Sequence, residues 1–138
     1  MAAAHKNKTL ATLLALLLGS IGVHRFYLRG NADRWALLHV MSVPVTLMVA
    51  IAAPGLDWYF KILPLVLSFL AGCLEALVLG LMPDAQWDAR FNPHAGQVSE
   101  SHWPLALLLV LTLMLGAGVL IATIARLFDL LYTGGRYG

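Results

Sequence analysis

Apolar residues fall in four runs along this chain, 9–23, 35–53, 62–82 and 104–125, separated by short polar stretches. A helix needs about 20 apolar residues to cross the hydrocarbon of a bilayer, within a range of about 17–25. The second, third and fourth runs meet that length outright. The first meets it if residues 24–28 continue the same helix. The pattern predicts an all-α polytopic membrane protein, a small bundle of about four transmembrane helices with no separate soluble domain. Helices are expected over 9–28, 35–53, 62–82 and 104–132. Residues 1–8 then form a polar leader, 83–103 a polar loop and 133–138 a glycine-rich tail.

The tryptophans mark the same boundaries. Trp35, Trp58, Trp87 and Trp103 stand at or just outside the ends of runs, so they read as a belt of amphipathic rings at headgroup level. Pro44 interrupts the second run and predicts a kink, whereas Pro64 falls in the first turn of the third helix, where proline is tolerated. The stretch 29–34 and the sequence Pro54-Gly55-Leu56-Asp57 are turn signals, and Pro83-Asp84 stops the third helix. Trp87 and Phe91 share one helical face, which predicts one or two helical turns over 84–91 lying on the membrane surface. A flexible loop over 92–101 follows. Asp84, Asp88 and Arg90 read as an exposed face, and His94 and His102 as solvated histidines.

Composition sharpens this reading. The chain is 60% hydrophobic and 12% charged, with a mean hydropathy of +0.80; a soluble domain carries about 25% charged residues. A net charge of +2 without a basic block argues against nucleic acid as a partner. Membrane lipids are the expected partners, with a membrane-protein partner or a second copy of the chain left open. The single cysteine, Cys73, lies inside the third run and permits no intramolecular disulfide. GxSxG, Walker A, HExxH and CxxC patterns are absent, so no catalytic residue and no cofactor is expected. Lys6 and Lys8 before an apolar stretch, with Ser20-Ile21-Gly22 as a small-x-small site, also fit a cleaved secretory signal.

If every run crosses, both chain ends and the turn at Asp57 share one side. Lys6, Lys8, Lys61, Arg126 and Arg136 then stand on that side, against Arg25, Arg29, Arg34 and Arg90 on the other. The positive-inside rule favours cytoplasmic N- and C-termini. The same straight helices place Arg25 about 24 Å, Glu75 about 20 Å and His39 about 22 Å from the first side. These ionisable groups share one layer. Arg126 instead emerges at the first side, about 20 Å from Glu75, where Asp129 is its expected partner.

Helix faces support a contact between Arg25 and Glu75. Ser68, Gly72, Ala76 and Gly80 form a ridge of small residues, matched in the first helix by Ala11, Ala15 and Gly19, with Gly22 on the same face. A continuous helix projects Arg25 from that face and turns His24 away from it. Arg25–Glu75 is read as a buried ion pair that fixes helix register, near His39. The alternatives are a proton or ion relay through His39 and Glu75, or a lipid-phosphate pocket built from Arg25, Arg29 and Arg34. A metal site from His24, His39 and Glu75 matches no ligand spacing, so no metal is expected.

One string has the character of a signature. Lys6-Asn7-Lys8-Thr9-Leu10-Ala11, an apolar stretch over 13–18, then Gly19, Gly22, His24, Arg25, Phe26, Tyr27 and Leu28 resembles the TM-two domain family, whose bacterial members include the NINE-type proteins. The likeness covers residues 6–30. Arg29 stands where that family usually carries glycine, with Gly30 one place later. The family's second helix typically ends in an apolar segment with an aspartate. Glu75 is a candidate counterpart, but an extra helix intervenes, and residues 83–138 fall outside the minimal domain. The resemblance implies a small multi-pass membrane protein without an assigned activity. The expected role is a non-catalytic membrane interaction or accessory module, and the alternative is a small transporter or channel-like subunit using Glu75 and His39.

Overall fold

The computed structural model describes residues 4–137. Among them the regular elements are all helical: α1 (Lys8–Leu18), a single 3-10 turn (Gly19–Ile21), α2 (Val23–Arg29), α3 (Arg34–Ala52), α4 (Trp58–Leu81), α5 (Asp84–Phe91) and α6 (Trp103–Thr133). Helices α3, α4 and α6 are long and apolar enough to cross a membrane. They coincide with the second, third and fourth runs, and the all-α membrane class follows from them.

The first run departs from expectation. Asn7 starts α1 as its N-cap, its side chain accepting the Leu10 amide at 3.0 Å. The helix stops after Leu18, about 16 Å along. The Gly22 amide then donates to the Gly19 carbonyl at 3.0 Å, and Gly22 takes the left-handed conformation with φ of 75°. A Cβ at Gly22 would also stand 2.9 Å from the Ala36 carbonyl oxygen, so glycine is required there on two counts. The chain reverses at this point. Lys6 Nζ donates to the Leu28 carbonyl, and the Asn7 amide donates to the Tyr27 hydroxyl at 2.9 Å. Segment 9–28 is therefore a re-entrant hairpin whose two ends lie together, not one spanning helix.

The hairpin lies against α4 by the expected ridges but in the opposite direction. Lys8 Nζ donates to the Met82 carbonyl at 2.7 Å, so α1 begins where α4 ends. At its far end the Gly19 backbone rests on Gly72: a Cβ on Gly72 would come within 2.8 Å of Gly19 Cα. Small residues let the two backbones touch. Packing in α3 is inside out relative to a soluble helix. It buries Ala36, His39, Ser42 and Thr46 while Leu37, Leu47, Met48 and Ile51 face outward, as an apolar solvent demands.

Asp57 caps α4 by accepting the Tyr59 amide at 2.9 Å. This starts the helix at Trp58 rather than 62 and puts Pro64 inside it instead of in its first turn. Helix α5 closes one end of the bundle. Trp87 is fully buried among Ala11, Leu28, Leu79 and Met82, lies with its ring centre 4.5 Å from that of Phe91 at a tilt of 49° and donates its indole N–H to the Lys6 carbonyl at 3.1 Å. It is a core residue and not part of the belt; Trp35, Trp58 and Trp103 remain exposed. The following loop is tied down rather than free. Asp88 accepts the Ser99 amide at 2.7 Å and Asp84 accepts the Ser101 amide at 2.9 Å.

Helix α6 starts beside α5 and ends at the α3–α4 turn, where Arg126 Nη2 reaches Asp57 at 3.3 Å. Residues 4–7 and the end of α6 thus lie at opposite ends of the bundle, contrary to the expectation that both ends share a side. An odd number of crossings is the reason.

The Gly19–Gly72 contact leaves no flexible atom to yield. Gly72→Ala is expected to lower detergent stability by about 1–3 kcal/mol, the usual cost of overpacking. Gly118, which has open space around it, serves as control: Gly118→Ala should melt like the wild type. Equal melting of all three chains would contradict the packing described.

Lys8 Nζ also pairs with Asp84 at 2.5 Å. That hydrogen bond, with those from Ser101, holds the Asp84 carboxyl down to about 2. A depressed carboxyl stabilises the fold above its unfolded value of about 4 and loses that contribution as pH falls toward the folded value. Asp84→Asn should therefore melt earlier than the wild type by a constant margin from about pH 6 to 8. The margin should close between about pH 4 and 2 in detergent melts.

Candidate functional site

The reversal at Gly22 carries His24 and Arg25, in the first turn of α2, back toward the last third of α4. Arg25 Nε donates to Glu75 Oε1 at 3.0 Å and to Oε2 at 2.8 Å, and Arg25 Nη2 also donates to Oε1. His24 Nε2 meets Oε2 from the other flank. His39 Nε2 stands 3.6 Å from Oε1. The structure therefore gathers Arg25, Glu75 and His39, and adds His24, which a straight helix would have turned away. A carboxylate only accepts, so His24 Nε2 is the donor in its contact. Nδ1 of the wholly buried His24 ring then has no partner among the described residues.

Behind this clamp a second carboxylate holds the outer face of Arg25. Asp33 Oδ2 lies 3.4 Å from Arg25 Nη1 and 3.9 Å from Arg29 Nε, while Asp33 Oδ1 caps α3 by accepting the Trp35 amide at 2.9 Å. The Arg25 guanidinium also lies 5.9 Å from the centre of the Trp35 ring. Burial alone would raise the Asp33 carboxyl, but its hydrogen bond to the Trp35 amide and its two arginine partners leave it below its usual value. Sequence reasoning overlooked Asp33. Its position before an apolar helix is an N-cap signal that could have found it.

Deeper in the bundle a hydroxyl chain covers the hairpin tip. Ser68 Oγ donates to the Ser20 carbonyl at 2.6 Å and so receives His39 Nδ1–H at 2.7 Å. Ser42 Oγ reaches the same carbonyl at 3.2 Å. These hydroxyls satisfy backbone that a broken helix exposes inside the membrane.

Each residue of the signature string has a place in the hairpin. Gly19 makes the close approach, Gly22 the reversal, and His24 and Arg25 the clamp. The Phe26 carbonyl accepts the Gly30 amide at 2.9 Å, ending α2. Tyr27 packs against the Trp87 cluster, and Leu28 is buried within it.

Arg29 lines a groove beside the clamp together with Arg90, whereas Arg34 is exposed outside it. At the opposite end of the bundle Arg126 pairs with Asp129 at 2.7 Å as well as with Asp57. Among the described residues no group of three His, Cys, Asp or Glu side chains is arranged to hold a metal ion.

The clamp, the reversal and the hydroxyl chain lie mostly in the first fifty residues, with Ser68, Gly72 and Glu75 contributed by α4. No curated protein matches this sequence, and no solved structure does. The family model of the TM2 domain matches residues 4–50, which take in the hairpin, the turn after it and nearly all of α3. The first third of this membrane protein is therefore similar to the TM2 domain.

Proposed function

We propose that the chain is a non-catalytic module of a bacterial cytoplasmic membrane. Its hairpin is a rigid insert, held against α3 and α4 and offered to lipid or to another membrane protein. The observation that carries this reading is the occupancy of Glu75. Both of its oxygens are taken by Arg25, and one is also taken by His24. A carboxylate that relays ions must exchange its partners during each cycle, whereas this one is held by a guanidinium that never gives up its charge. The groups that would form a relay are spent on fixing the hairpin.

Glu75→Gln should lower detergent stability by about 3 kcal/mol, the lower end of what the loss of one member of an enclosed pair costs, because this pair is partly rather than fully buried. Proton flux into liposomes should stay at the background of empty vesicles. A variant of unchanged stability with altered flux would overturn the reading in favour of an ion path.

The observed topology also regroups the charges. Lys6, Lys8, Arg29, Arg34 and Arg90 share the α5 end, against Lys61, Arg126 and Arg136 at the other. The positive-inside rule now favours a cytoplasmic α5 end and a C-terminal end across the membrane. A cysteine placed at Gly96 should be shielded from an impermeant thiol reagent in intact cells, and one placed at Arg136 should be labelled. The reverse labelling pattern would refute this orientation.

A further inference from the structure

Beside the clamp, α2, α4 and α5 border a groove of two characters. Its outer wall is apolar: Leu74 and Val78, one turn apart on α4, are more than half exposed. Its mouth carries Arg29 and Arg90. Arg29 has only Asp33 for a counter-charge, at 3.9 Å and shared with Arg25. Arg90 lies over the Phe91 ring, 5.6 Å from its centre, and among the described residues no carboxylate pairs with it. Two under-neutralised guanidinium groups thus stand at the rim of an apolar surface.

Depth decides what fits. The rim lies where α4 ends and α5 begins, at the level of the lipid headgroups, and Leu74 is about 10 Å deeper along α4. Guanidinium forks match the oxygens of a phosphodiester, and the apolar wall below has the character of an acyl-chain contact. We infer that this groove binds an anionic glycerophospholipid, with its phosphate between Arg29 and Arg90 and a fatty chain along Leu74 and Val78. Charge complementarity excludes a zwitterionic lipid as the preferred occupant, because its amine would bring a cation to the two arginines. Inorganic phosphate would forgo the apolar wall. The inference rests on the membrane placement proposed above but not on the role of the clamp.

The test uses the full chain purified in detergent, with lipids of identical acyl chains and native mass spectrometry as the readout. Phosphatidylglycerol should be retained about tenfold more strongly than phosphatidylcholine, the difference that one charge-assisted contact can make. Millimolar inorganic phosphate should not displace it. Arg90→Ala and, separately, Arg29→Ala should each reduce this preference, while Arg90→Ala leaves the lipid-free melting temperature unchanged. Equal retention of the two lipids, or a preference that survives both substitutions, would overturn the inference. Displacement by inorganic phosphate would instead reveal a free-anion site and overturn it as well. Glu75 and Arg25 also line the groove, so the two readings are separated at His24, which touches Glu75 from outside it: a loss of stability in His24→Ala with lipid preference intact leaves the groove standing and speaks only to the clamp.

Discussion

A chain that turns back inside a bilayer must find partners for the backbone groups it uncovers, because hydrocarbon offers none. That demand shapes the first half of this protein. At the reversal, Gly22 donates to the Gly19 carbonyl, and its own carbonyl accepts the Arg25 amide at 3.0 Å. The Ser20 carbonyl is left over and takes the Ser68 hydroxyl of α4 at 2.6 Å, with the Ser42 hydroxyl of α3, bonded more closely to the His39 carbonyl, 3.2 Å away. The small residues of both ridges follow from the same demand. A hydroxyl reaches that carbonyl only if the hairpin lies close against α4, and Gly19 on Gly72 sets that distance.

Charge is handled by the same economy. Arg25 would be costly in this layer alone. It is enclosed by Glu75 on one side and Asp33 on the other, so α2 is joined to α4 and to the start of α3 through one guanidinium. His24 and His39 fill the remaining flanks, their rings edge-on at 5.9 Å. The pattern suits a fixed joint. Helix α2 contributes Arg25 and His24, α3 and its cap His39 and Asp33, and α4 Glu75, and removal of Glu75 would leave Arg25 and His24 without their shared partner.

The three long helices could be read from the sequence because length and hydropathy are one-dimensional quantities, and α3 and α6 ended within a residue of expectation. Direction could not be read the same way. A ridge of small residues looks identical from either end, so Ala11, Ala15 and Gly19 fit against Ser68, Gly72 and Ala76 in parallel or antiparallel. The φ of Gly22 decides between them, and glycine only permits that value. Depth arithmetic put Arg25 level with Glu75 on the assumption of a straight helix, but in the structure the returning limb makes the contact. His24 could not be placed for the same reason. Trp87 was ambiguous in another way, since a tryptophan at the end of an apolar run serves equally as a belt residue or as a plug beneath a capping helix.

The hairpin has a consequence for the bilayer itself. The half of the bundle nearest α5 contains the limbs α1 and α2 beside the three crossing helices, with α5 laid over them; the half nearest Asp57 contains the three crossing helices alone. The molecule therefore displaces more area from one leaflet than from the other. Lipids around it meet a tapered body, and a planar bilayer must spread one monolayer further than its opposite to seat it.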